Sequence, residues 1–301
     1  MRNGEMTARV TSALTGALTA LAVALALASC GSSGATGSSS VAVVGPLARA
    51  AYATAHAGGA HLSLSARIEA GALPSAVTLS GNGFFNYKGH EGALSMTLAG
   101  LPANPITGSS TSIEEIFKGT DIYIGSSIFR KLPGGARWMK LDLARFGAAA
   151  GINPTQLLGG QSNPAQFLEY LEGSGGSVQT IGQDRVRGVP TTHYRGSIDL
   201  KKAAAALTQH AGNSSLRGSF EKDIAKLGLT SMPVDVWIDS HRLVRRMQFS
   251  MSVAPGGQRA SITMTLEFFD FGATPAVTAP PASETLDATS SALSGLNSAG
   301  G

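Results

Sequence analysis

His61-Leu62-Ser63-Leu64-Ser65-Ala66-Arg67-Ile68-Glu69 decides the fold. Every second residue is apolar, so Leu62, Leu64, Ala66 and Ile68 fall on one face and the polar residues on the other, the signature of a half-buried strand. The pattern recurs in Leu94, Met96 and Leu98, and again in Val234, Val236 and Ile238 against Asp235, Trp237 and Asp239. Leu243, Met247, Phe249, Met251 and Val253 repeat it, followed by Ile262, Met264, Leu266 and Phe268. Gly81-Asn82-Gly83, Gly89-His90-Glu91-Gly92, Lys118-Gly119-Thr120-Asp121, Asp239-Ser240-His241 and Pro255-Gly256-Gly257 read as turns between strands. Strands joined by short turns pair antiparallel, and one apolar face per strand implies a sheet packed on one side only.

Helices are expected between the strands. Asn153-Pro154 and Asn163-Pro164 offer an N-cap followed by proline at the first helical position. Asp199 precedes Leu200, Ala203, Ala204 and Leu207 at helical spacing, Ser215 opens a stripe of Leu216, Phe220, Ile224 and Leu227, and a shorter helix is expected around Pro46 to Ala55. The expected fold class is α+β, a curved antiparallel sheet forming a half-open barrel over a group of helices.

At the N-terminus, Arg2 and Arg9 precede an almost uncharged run that ends in Leu27-Ala28-Ser29-Cys30. This is the layout of an export signal. Its end resembles the bacterial lipobox, which implies cleavage before Cys30 and acylation of that thiol. A plain signal peptide with a chance cysteine and an uncleaved anchor are the competing readings. Residues 31–40 are almost all Gly, Ser, Ala and Thr, a tether that would hold the domain roughly 20 Å from a bilayer. The expected organisation is a signal at 1–29, lipidated Cys30 with its tether at 30–45, one domain at 46–273 and a disordered tail at 274–301. Without Arg2, Arg9 and Glu5 the chain has 21 basic and 18 acidic side chains. The basic residues are scattered, so nucleic acid is not an expected partner.

Gly188-Val189-Pro190-Thr191-Thr192-His193-Tyr194-Arg195-Gly196-Ser197-Ile198-Asp199-Leu200, then Met232-Pro233-Val234-Asp235-Val236-Trp237-Ile238-Asp239, then Arg242-Leu243-Val244-Arg245-Arg246-Met247-Gln248-Phe249-Ser250-Met251 form a recognisable succession. With the lipobox and the Gly/Ser tether it resembles actinobacterial lipoproteins of the LppX/LprG type, in the LolA-like superfamily. The resemblance spans Cys30 to about Gly272 and implies a half-open barrel around helices, with an apolar cavity that in several members holds the acyl chains of lipids or glycolipids. Candidate cavity-facing residues are Leu64, Ile68, Met96, Met247, Phe249, Met251, Met264 and Leu266. Methionines are numerous in or beside these strands, and methionine adapts to varied apolar shapes.

Motifs of catalysis are missing from the sequence: no Gly-x-Ser-x-Gly, His-Glu-x-x-His, P-loop or Cys-x-x-Cys occurs. Ser219-Phe220-Glu221-Lys222 matches Ser-x-x-Lys but lacks the companion motifs, and the six histidines fall in separate elements without ligand spacing. Trp138 and Trp237 read as packing residues, and His193 and Arg195 as a polar strand face. No enzyme, cofactor or metal is expected. The expectation is a monomer on the extracytoplasmic face of the cell membrane, held by acylated Cys30, with a lipid or glycolipid as ligand. The alternative is a scaffold with a filled core whose partner is another envelope protein.

Overall fold

The computed structural model describes residues 45–71, 73, 75–104, 108–127, 129, 132–150, 178–200, 202, 229–253 and 259–299. Helix α1 (Pro46–Ala55) is followed by β1 (Gly59–Ala70), β2 (Val77–Asn86), β3 (Glu91–Asn104), β4 (Gly108–Lys118), β5 (Asp121–Ser126) and β6 (Trp138–Asp142). After α2 (Leu143–Ala150) come β7 (Gln179–Val186), β8 (Val189–Asp199), β9 (Ser231–Asp239), β10 (Val244–Val253) and β11 (Ala260–Phe269), then β12 (Thr285–Asp287) and α3 (Thr289–Ala299).

The twelve strands among the described residues form one open sheet in the order β12-β6-β5-β4-β3-β2-β1-β11-β10-β9-β8-β7. Two antiparallel meanders, β1 to β6 and β7 to β11, are joined where β1 pairs with β11 from His61↔Phe269 to Ala70↔Ala260. The alternation in residues 61–69 thus lies at the centre of the sheet, where both neighbours are long strands. Its apolar side chains are buried because the core lies on that face, here called inner. α1 packs there: Leu47, Ala50 and Ala51 are buried, and the Val244 N–H donates to Thr54 Oγ1 at 3.1 Å.

Four sequence expectations change. Gly81-Asn82-Gly83 is not a turn but the middle of β2, and the turn falls at residues 87–90. Here glycine serves close approach: a Cβ on Gly83 would collide with the Ala93 carbonyl, and one on Gly81 would lie 2.6 Å from Met96 Cγ. In β10 the inner residue is Val244, fully buried opposite Ile238, rather than Leu243. A bulge between Val244 and Arg246 inserts one residue and reverses the alternation.

The tail read as disordered contains structure, so the folded unit runs beyond residue 273. Val277 is buried and its carbonyl accepts from Lys118 Nζ at 2.7 Å. β12 pairs with the edge strand β6 in parallel, which makes the sheet mixed rather than purely antiparallel. Thr289 is fully buried, and its Oγ1 accepts the Asp142 N–H at 3.0 Å. Pairing through backbone groups needs few apolar side chains, so a composition of Ala, Pro, Ser and Thr conceals it.

The helices expected at Asn153, Asn163 and Ser215, the turn at Pro255, the signal, Cys30 and the tether lie outside the described residues. The helix expected after Asp199 is described at its start, where the Lys202 N–H donates to Asp199 Oδ1 at 3.0 Å, the bond of an N-cap.

Candidate functional site

The inner face is built from rows of side chains in register across the sheet. One row runs Met96, Gly81, Leu64, Leu266, Met247, Val236. The next runs Leu98, Leu79, Ala66, Met264, Phe249, Val234, and a third runs Val77, Ile68, Ile262, Met251. All eight candidate residues therefore share this face. Leu64, Ile68, Met247, Phe249, Met251 and Met264 are at most 5% exposed, whereas Met96 and Leu266 are half-buried and pack against them.

Burial divides the face in two. Around β1 and β9 to β11 the apolar side chains form a filled core. On β3 to β6, Leu94, Phe117 and Ile122 still belong to that core, whereas Met96, Leu98, Ile113, Ile124, Met139 and Leu141 are only half-buried. An apolar surface that stays partly in contact with water loses about 25 cal/mol for each Å² left uncovered. This half of the face is the candidate binding surface.

One acid interrupts it. Glu115 sits between Ile113 and Phe117 on β4, with Leu94 of β3 and Ile124 of β5 directly opposite. Burial alone pushes its carboxyl up to about 7. Tyr87, in the turn after β2, is a second buried polar group on this side: its hydroxyl has no partner among the described residues, and burial raises it further above its ordinary value. The sequence reading passed over both. Alternation extended through Thr111, Ile113, Glu115 and Phe117 would have put Glu115 on the apolar side.

The opposite face of β8 to β11 is polar and closed on itself. His193, Trp237 and Arg246 face one another across three strands, with the imidazole stacked on the indole at 4.2 Å and the guanidinium 5.2 Å from the indole ring. Asp235 Oδ1 accepts from Arg195 Nε at 2.8 Å and lies 2.6 Å from His193 Nε2. The Trp237 indole N–H donates to Asp184 at 2.9 Å. The Arg185 backbone N–H and that indole hold the Asp184 carboxyl below its ordinary value. Burial pushes Glu267 up, but the bonds from Arg246 and Arg187 outweigh it and hold the carboxyl below its usual range. A histidine next to a carboxylate can serve as a base. Here the carboxylate is shared with Arg195 and the ring is covered by Trp237, which makes the group a brace between strands. Trp237 packs, but against His193 and Arg246 on this outer face and not in the core.

A cleft of about 290 Å³ lies on the outer side of β4 to β6, lined by Ser112, Glu114, Gly125, Arg137 and Trp138 among others. A broader hollow of about 620 Å³ lies at the ends of β1, β10 and β11, beside Glu69, Val253 and Arg259. Among the described residues no three His, Cys, Asp or Glu side chains converge as metal ligands. No helix among them is long and apolar enough to cross a membrane.

An open, curved, mixed sheet with one apolar and one ion-paired face defines the class to which the chain belongs. No model of a known protein family matches it. The chain is 34% identical over 162 residues to an uncharacterized 31.2 kDa protein in the rplA–rplJ intergenic region of Streptomyces griseus. That match covers 51% of this chain and 49% of the other, so the chain spans about half the length of the curated relative it matches. Among solved structures it is similar to lipoprotein LppX of Mycobacterium tuberculosis, at 15% identity over 80% of this chain and 100% of that one, with a TM-score of 0.43. It is also similar to LprF of Mycobacterium bovis, at 15% identity over 78% of this chain and 95% of that one, TM-score 0.39. A LolA superfamily protein of Nitrosomonas europaea follows at 11% identity over 75% of this chain and 93% of that one, TM-score 0.25. At these scores the likeness carries nothing about ligand or activity.

Proposed function

We propose that this chain is a non-enzymatic envelope lipoprotein that takes up the acyl chains of a lipid or glycolipid against the inner face of β3 to β6. The observation that carries the reading is the half-buried apolar surface of Met96, Leu98, Ile113, Ile124, Met139 and Leu141, beside a half whose inner side chains are almost all buried. The packed half supplies stability, and the other half supplies a surface whose covering by acyl chains is favourable by about 25 cal/mol per Å². Cys30, acylated, would keep this surface next to the bilayer that provides the ligand, since two or more chains anchor stably. Leu64, Ile68, Met247, Phe249, Met251, Met264 and Leu266 would form the floor behind the ligand rather than its wall, with Met96 nearest to it. The filled core around β1 and β9 to β11 is what favours the alternative, a scaffold for another envelope protein.

A filling substitution separates the two. Leu98→Trp adds bulk to the half-buried surface and should slow transfer of a fluorescent phospholipid between vesicles at least several-fold, with the thermal midpoint little changed. Transfer by the wild-type chain no faster than in protein-free controls would reject the carrier.

A further inference from the structure

Glu115 is the one titratable side chain on the inner face of β2 to β6 among the described residues. Among them it accepts no hydrogen bond and forms no ion pair. A carboxyl among apolar neighbours is unfavourable unless something bonds to it. Half-buried between apolar strands and bonded by no described residue, this carboxyl is the polar group that a ligand seated on the face would meet.

We propose that Glu115 is the polar contact of an acyl-ester site on the inner face of β3 to β6, where its neutral carboxyl donates a hydrogen bond to the ester carbonyl of a bound lipid and its ionisation releases that lipid. The inference rests on the carrier reading and adds the chemistry that reading lacks. A neutral carboxyl has one O–H to donate, and an ester carbonyl can only accept. Half-buried Ile113 on β4, with Met96, Leu98 and Ile124 on the strands beside it, would take the chains, over a floor that includes the buried Phe117. When the carboxyl ionises, its proton passes to bulk water, the hydrogen bond is lost and the carboxylate needs hydration that an acyl-filled surface excludes.

Among the described residues, nothing charged on the neighbouring elements competes with this role. β3 and β5 present Leu94 and Ile124 to Glu115, while Glu91, Glu114, Lys118 and Asp121 lie on the outer face. On α2, which packs beside β5 and β6, Arg145 bonds Asp287 at 3.2 Å. The upward displacement of the carboxyl by burial, to about 7, puts the change near neutral pH.

The test uses the full chain on phosphatidylcholine vesicles containing a neutral diacylglycerol with a diazirine in one acyl chain. After irradiation, crosslinks are mapped to peptides of β3 to β6 from pH ~5.5 to pH ~8.5. In the wild type the yield should fall about tenfold or more across that range, as expected when only the neutral acid binds. Glu115→Gln should be flat, and Glu114→Gln, altered on the outer face, should follow the wild type. A flat wild-type profile, or one slope shared by the wild type and Glu115→Gln, would overturn the role of Glu115 while leaving the carrier intact. Crosslinks missing from β3 to β6 at every pH in all three proteins would overturn both.

Discussion

A carboxyl on an apolar strand face makes stability depend on pH in a direction opposite to that of most acids. Glu115 titrates near its ordinary value when unfolded and at about 7 when folded. The folded state therefore keeps a proton that the unfolded state gives up. Its contribution is fully present below the unfolded value, and it is lost as pH rises towards 7. The loss is on the order of 3 kcal/mol. Glu115→Gln should remove this slope, so urea unfolding of the two proteins should diverge between about pH 4.5 and pH 7 and run parallel above. Curves that stay parallel throughout would mean the carboxyl is solvated. Glu114-Glu115 reads as a charged surface pair unless the alternation from Thr111 to Phe117 is followed through it, and the register Glu115↔Ile124 assigns the two to opposite faces.

At the scale of the element, strands with strict alternation were legible, and those regulated by single insertions or by side-chain bonds were not. Residues 61–69, 234–238 and 262–268 carry their apolar face in the spacing, and the structure extends each only by a few residues. The β10 bulge is invisible in that spacing because Leu243 and Val244 are equally apolar. What fixes it is Asp239, whose side chain is 1% exposed. Its Oδ1 accepts the N–H groups of His241 and Leu243, each at 2.9 Å, and its Oδ2 accepts from Arg245 Nε. These bonds close the β9–β10 turn and hold the bulged arginine against the sheet. Asp239→Ala would deprive two backbone donors and the Arg245 guanidinium of their carboxylate, leaving the guanidinium only its stacking on Phe271, and should lower stability by about 3 kcal/mol, read from the denaturation midpoint. A change below about 0.5 kcal/mol would show that water replaces the carboxylate. Gly81 and Gly83 were misread for a related reason: glycine marks turns and close strand approach alike, and the composition does not distinguish them.

Over the whole molecule, the two meanders meet at β1 and β11, strands separated in sequence by nearly the full length of the domain. The class of sheet and its inner face could be read from the alternation, while that pairing and the addition of β12 could not, since they depend on long-range backbone bonds. The same arrangement puts a packed core on one half of a continuous face and a half-buried apolar surface on the other, which is the basis for reading the molecule as a carrier. The candidate residues chosen from the sequence fell mainly in the packed half because the strongest alternation belongs to the most buried strands. The ligand-facing half, on β3 to β6, has weaker patterning. The most direct measurement is the lipid content of the full chain purified from its own membranes, by native mass spectrometry with extraction and quantification of what is bound. The carrier account predicts close to one acyl lipid per chain, with occupancy falling in Leu98→Trp. A chain that arrives at its bare mass, and shows no added lipid after incubation with phospholipid or glycolipid vesicles, would contradict it.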